Sequence, residues 1–252
     1  MKRLLLTGVG AFALGFAVPA QGADLPKMVT KAPIVPVAIA PAWAGFYAGL
    51  SGGGRWADVE GTTISFGGGP VPFPALAEHD YDSGTLRVGG YVGYNWQFSP
   101  AWIAGIEGDL AWGDGSDSVD ALQGLSNVGN FSEFRHTWDG GIRARLGYLW
   151  TPTWLLYLTG GVQWQHVEAT VTCGAGSCPG NTFTQTNDTT RTGWTIGGGI
   201  ETILSRNWLA RLEYRYADYG TWQTSFGPAA VAVVKDFDIV THTAIAGIAY
   251  KF

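Results

Sequence analysis

From Trp43 to Phe252 the chain repeats one pattern through eight successive segments: large apolar side chains keep to one parity, polar residues or glycine to the other. Successive side chains of an extended strand point to opposite faces, so each segment describes a strip with one oily face and one polar face. The second segment is the clearest. It sets Leu86, Val88, Val92, Tyr94, Trp96 and Phe98 against Arg87, Tyr91, Asn95 and Gln97. The fourth sets Trp138, Ile142, Ala144, Leu146, Tyr148 and Trp150 against Asp139, Arg143 and Arg145. The seventh sets Trp208, Ala210, Leu212, Tyr214 and Tyr216 against Arg211, Glu213 and Arg215. A helix would scatter each set around its circumference. The other five segments run over Phe46 to Asp58, Trp102 to Trp112, Trp154 to Glu168, Thr192 to Leu204 and Asp238 to Phe252.

Eight such strips need two different media. A residue content that is 46% hydrophobic and only 14% charged suits a membrane, yet mean hydropathy is only +0.08. Past its first residues the chain has no unbroken apolar stretch of the ~18 residues that a spanning helix requires. Helices and closed barrels are the two structures that span a bilayer, because an unpaired backbone group costs several kcal/mol in hydrocarbon. The expected fold over 43–252 is therefore all-β: a closed antiparallel eight-stranded transmembrane β-barrel of the outer-membrane type. A soluble sandwich would have to expose large apolar side chains on eight strands, which water does not tolerate.

The connections fit this reading. Tight turns at Ser99-Pro100-Ala101, Thr151-Pro152-Thr153 and Ser205-Arg206-Asn207 alternate with stretches rich in Gly, Ser, Asp and Pro over 59–83, 113–133, 169–190 and 218–236. Short turns on one rim and long loops on the other are the outer-membrane arrangement, and an even strand count returns both ends to the periplasmic rim. Trp43, Trp96, Trp102, Trp112, Trp138, Trp150, Trp154, Trp194 and Trp208 are expected at the two interfaces, where amphipathic rings settle. Loop 59–83, with Phe66, Pro70, Pro72 and Phe73 around three glycines, is either a surface for an extracellular partner or a segment lying on the rim.

The first residues read as an address. Lys2 and Arg3 precede the apolar run Leu4 to Val18, and Ala20-Gln21-Gly22 offers small residues before Ala23. A signal peptide is expected over 1–22, followed over 23–42 by a periplasmic tether carrying Pro26, Pro33, Pro36 and Pro41. Export suits the two cysteines, Cys173 and Cys178, which are expected to pair as a local disulfide in an oxidising compartment. A metal site is the rival reading, but two thiols make half a ligand set.

The polar parity collects Arg55, Arg87, Glu107, Asp109, Asp139, Arg143, Arg145, Glu201, Arg211, Glu213, Arg215 and Lys251, so opposite charges are expected to meet inside. An eight-stranded barrel is just wide enough for its own side chains to fill. An occluding ion-pair network is the expected outcome, with a gated conduit for small solutes as the alternative. Gly89, Gly93, Gly141, Gly147, Gly197 and Gly199 share this face and either relieve crowding or leave a passage. Candidate catalytic groups are His79, His136, His166 and His242 with Asp80, Glu133, Glu168 and Asp238, but none forms a nucleophile, base and orienter set. No catalysis, cofactor or metal is expected. Nor is nucleic-acid binding, because net charge is −5 and the basic residues form no stripe.

Several stretches also carry a resemblance: ADLP after the signal, WAGFYAGLSGGG, GGYVGYNWQF, GIEGDL, IRARLGYLW, YLTGGVQW, GWTIGGGIE, LARLEYRYADYG and the closing HTAIAGIAYKF. In this order and over nearly the whole chain they resemble the alphaproteobacterial outer-membrane immunogenic proteins, small porin-like barrels similar in architecture to the OmpA transmembrane domain. The resemblance implies a protein of the bacterial outer membrane, surrounded by outer-membrane lipid, in a group whose members are surface antigens, envelope-integrity proteins and in some cases small-solute porins or haem binders. It also implies delivery by the outer-membrane insertion machinery, which reads a last strand ending in Phe with alternate aromatics, the place taken here by Tyr250 and Phe252.

Overall fold

Each alternating segment is a strand, and each strand continues past the point where its lipid-facing pattern stops. The structure, a computed structural model, describes residues 43–70, 78–119, 131–175, 178 and 180–252; the expected signal peptide and tether lie outside the described residues. The strands are β1 (Gly45–Phe66), β2 (Gly69–Pro70), β3 (Glu78–Gln97), β4 (Trp102–Val119), β5 (Phe131–Thr151), β6 (Trp154–Cys173), β7 (Phe183–Ser205), β8 (Trp208–Phe226) and β9 (Val233–Lys251). Neighbours pair antiparallel in the order β1-β3-β4-β5-β6-β7-β8-β9, and β9 returns to β1 from Tyr47↔Lys251 to Phe66↔Val233. The ring is thus closed by eight long strands. The ninth, β2, is a two-residue stub paired with the end of β1 and lies outside the ring.

Closure satisfies the backbone of every long strand within the wall, as hydrocarbon demands. On one rim β3–β4, β5–β6 and β7–β8 are joined by the tight turns expected, and β1 begins and β9 ends there. Outward-facing aromatics form two girdles. Phe46, Trp96, Trp102, Trp150, Trp154, Trp208 and Tyr250 mark the tight-turn side, and Trp56, Trp112 and Trp194 mark the other; all are exposed. Trp43 departs from the interfacial position expected of it. Gly45, at φ +123°, turns the chain under the rim, and Trp43 is buried with its indole N–H donating to the Pro152 carbonyl at 3.0 Å.

The loops are shorter than the sequence suggests, because above the second girdle the apolar side chains change faces. On β1, outward Leu50 and Trp56 give way to Asp58 and Glu60, while inward Ser51 and Arg55 give way to buried Ala57 and Val59. On β6, outward Leu158 and Val162 give way to Glu168, Thr170 and Thr172, while inward Gln163 and Gln165 give way to Val167, Ala169 and Val171. The ladder carries on while the medium outside changes from lipid to water. Segments such as 59–66, 183–190 and 218–226, expected in loops, are therefore wall. On β5 an irregularity between His136 and Asp139 shifts the parity, so Phe134 and His136 face inward above it and Asp139, Arg143 and Arg145 below it.

Candidate functional site

The interior is stacked in three layers. At the tight-turn end Trp43 packs with Ile103, Leu155, Leu209 and Ala249, with Leu149 and Ile203 against them. At the outer end Val59, Tyr81, Phe134, Val171, Trp222 and Phe237 belong to a second apolar cluster. Between them lies the charged layer.

Strands β1, β3, β4, β5, β7 and β8 bring eleven of the twelve expected residues together: six arginines and five carboxylates, ten of them at most 5% exposed and the eleventh, Asp109, with its side chain 3% exposed. Asp139 accepts from Arg55 Nη1 at 2.6 Å, Arg87 Nη2 at 2.6 Å and Gln163 Nε2 at 3.2 Å. Asp109 accepts from Arg143 Nη1 at 2.6 Å, Arg87 Nη2 at 2.7 Å and Arg215 Nη1 at 2.9 Å. Glu107 takes Arg143 Nη2 at 3.1 Å, the Tyr47 hydroxyl at 2.9 Å and Arg211. Arg145 reaches Glu201 at 2.9 Å, and Glu213 accepts from Arg215 and the Tyr157 hydroxyl. Most of these bonds cross between strands far apart in the chain, so they brace the ring from within. Buried pairs hold together when hydrogen bonds compensate their loss of water, and Asp109 and Glu107 each accept from three donors.

Lys251 is the exception and corrects the expectation. It sits one residue before the end, at the tight-turn rim, and its Nζ lies 3.4 Å from the Ala44 carbonyl. Ala249, Gly247 and Ile245 separate it from the charged layer along β9.

Three tyrosines complete the layer, and only Tyr91 stood out beforehand as an inward residue. Arg211 lies over the Tyr91 ring at 3.5 Å and Arg145 over Tyr157 at 4.1 Å. Tyr47 and Tyr157 were concealed in segments where aromatics seemed to belong to the lipid face. Their room comes from glycine. A Cβ on Gly93 would stand 2.3 Å from the Tyr47 hydroxyl oxygen, and one on Gly199 2.6 Å from that of Tyr157. Inward glycines of this kind relieve crowding, and the space they release is occupied.

The candidate catalytic groups are dispersed. His136 is buried inside the wall. His166 faces out, stacked on Trp138 with an interplanar angle of 3° and 3.7 Å from Glu168. His242 shares a 2.7 Å hydrogen bond with Tyr214 and lies 3.4 Å from Asp58. The side chain of His79 lies outside the described residues. Among the described residues no three His, Cys, Asp or Glu side chains gather with metal-binding geometry. Cys173, at the end of β6, is disulfide-bonded to Cys178, with Cα atoms 5.9 Å apart. Tyr250 and Phe252 are exposed at the tight-turn rim, their rings in edge contact at 5.3 Å.

Buried Lys235 on β9 went unnoticed in the sequence. It lies inside the outer apolar cluster, donating to the hydroxyls of Tyr81 and Ser132 at 3.1 Å each. An inward Lys among Val233, Phe237 and Ile239 was the available signal, but 218–236 read as loop, where a lysine attracts no notice.

Comparison with known proteins agrees with this architecture. The family described as "Outer membrane protein beta-barrel domain" matches residues 11–252. The chain is 30% identical over 266 residues to the 31 kDa outer-membrane immunogenic protein of Brucella melitensis, covering all of both chains. It is 31% identical over 185 residues to the 22 kDa outer membrane protein of Rhizobium leguminosarum bv. viciae, covering 73% of this chain and 68% of that one. Among solved structures, the outer membrane protein OprG from Pseudomonas aeruginosa shares the fold at a TM-score of 0.52 and 14% identity, over 83% of this chain and 96% of that one.

Proposed function

The chain belongs to the outer membrane protein beta-barrel domain family, and from that premise we propose that it serves the envelope through its wall and outer rim, as a structural and surface-interaction protein, rather than through its lumen. It is an outer-membrane protein related to immunogenic outer-membrane proteins, and the relatives described above are named for that location. The observation that carries the proposal is the filled interior: an interlocked arginine-carboxylate layer closed by apolar residues above and below. An eight-stranded barrel so filled offers no continuous water path.

A surface role is supported by what stands above the second girdle. Asp58, Glu60, Asp80 and Asp238 face outward on β1, β3 and β9, ordered by the same ladder as the membrane part. Rigid walls that carry loops outward are the usual scaffold for recognition. Tyr250 and Phe252 are assigned to recognition by the insertion machinery, and the chain is assigned no catalysis and no cofactor. The test is single-channel recording of refolded protein in planar bilayers. No reproducible conductance is expected; a steady open level carried by the wild type moves the passage of small solutes ahead of this reading.

A further inference from the structure

The lipid-facing wall is uneven in one place. Ala48 on β1, Gly90 on β3, Gly108 on β4 and Gly140 on β5 occupy outward positions on four neighbouring strands and floor a groove of about 720 Å³. Leu110 and Ile142 flank it, and the rings of Trp138 and Trp164 wall its far end. Gly90 pairs with Leu50, near the middle of the lipid band of β1, whereas Trp138 pairs with Trp112 of the second girdle. The groove therefore runs obliquely from mid-membrane to the outer surface.

Two of its glycines are not required by the barrel. A Cβ on Gly90 would meet nothing closer than 3.6 Å, and one on Gly108 nothing closer than 3.7 Å, which is ordinary contact. On the inward face Gly49, Gly93 and Gly199 differ, since a Cβ there would come within 3 Å of a tyrosine. The wall thus has space for side chains at positions 90 and 108, on a face where Val92, Leu110 and Ile142 are all exposed. Leaving them out makes the depression.

We propose that this groove seats one acyl chain of an outer-leaflet lipid, held in register by the Trp138 and Trp164 rings. The groove is continuous with the band between the girdles, where the surrounding medium is hydrocarbon. An unfilled groove forfeits dispersion contacts that a flexible methylene chain supplies along its length. A second copy of the chain is the poorer occupant, because a stable protein interface needs on the order of 1,200 Å² of buried surface and this depression takes in only one to a few residues from each strand that lines it. The proposal is independent of whether the lumen conducts.

Native mass spectrometry of the full barrel in mild detergent, supplemented with hexa-acylated lipid A, tests it. The wild type is expected to retain one lipid A, and the double variant Gly90→Leu, Gly108→Leu to retain at least tenfold less while still running as the folded form on an unboiled gel. If the double variant does not refold, Gly90→Ala with Gly108→Ala serves instead and should lower retention at least threefold. Equal retention by wild type and variant overturns the proposal. So does a wild type that holds no lipid, that holds dipalmitoyl phosphatidylethanolamine as well as lipid A, or that appears as a dimer dissociated by the substitutions.

Discussion

Lys235 donates a hydrogen bond to the Tyr81 hydroxyl at 3.1 Å inside the apolar outer end of the barrel, above the membrane, and Tyr81 in turn donates to Ser132 at 2.8 Å. Its partners are neutral, and burial pulls the ammonium down to about 8. The unfolded chain binds the proton more tightly, so the destabilising cost is full below pH 8 and fades as pH rises toward the ordinary lysine value. Lys235→Met is expected to stabilise the outer end at pH 7 by on the order of 3 kcal/mol and to remove the gain otherwise seen between pH 8 and 10. Hydrogen exchange of the β9 amides at both pH values checks this; slower exchange in the wild type than in the variant at pH 7 contradicts it.

Arg143 joins Glu107 to Asp109. Arg143→Ala leaves two buried carboxylates short of a partner, a loss of roughly 3 to 5 kcal/mol. The folded band on an unboiled gel should convert at a clearly lower temperature. Conversion at the wild-type temperature would mean that water can replace the guanidinium, and the layer would then be wetter than its geometry implies.

Neighbouring glycines on opposite faces of β3 should respond differently. Gly93→Ala drives a Cβ into Tyr47 and should cost about 1 to 3 kcal/mol, whereas Gly90→Ala meets only ordinary contacts and should be within about 0.5 kcal/mol of wild type. Urea unfolding in detergent micelles measures both. Equal effects would contradict the assignment of faces, and the reverse order would invert it.

Trp43→Ala empties the tight-turn mouth. A loss of about 3 to 5 kcal/mol is expected for a buried Trp, yet no conductance, because the charged layer still spans the lumen. Recording from the variant separates the two seals: current through it would place the barrier at Trp43.

Much of this molecule can be read from period-two alternation. Leu86 to Phe98 and Trp138 to Trp150 identify a strand, its lipid face and its depth without any structure, and the polar parity supplied every arginine and carboxylate of the charged layer, adding Lys251 and leaving out Tyr47 and Tyr157. The outer third was illegible for a physical reason. At Ala57 and Val167 the apolar residues change faces, and a search for oily side chains on one parity takes that crossing for the end of a strand. Trp43 was misplaced because the sequence shows a Trp at a chain entrance and not the turn at Gly45 that folds it inward.

The crossing of faces fixes the barrel's height in the bilayer. Sliding it one residue pair toward the cell would draw Asp58 and Glu60 into hydrocarbon, and lifting it would carry Trp56 and the other rings of the second girdle out of the interface into water, so the molecule has a waterline painted on it. Beyond that line β1 runs on from Asp58 to Phe66; at about 3.3 Å per residue and a tilt near 40° this is a pedestal roughly 20 Å tall. Whatever the loop tips meet, they meet it at a set standoff from the lipid, which makes the length of this collar as open to selection as the loop sequences it carries.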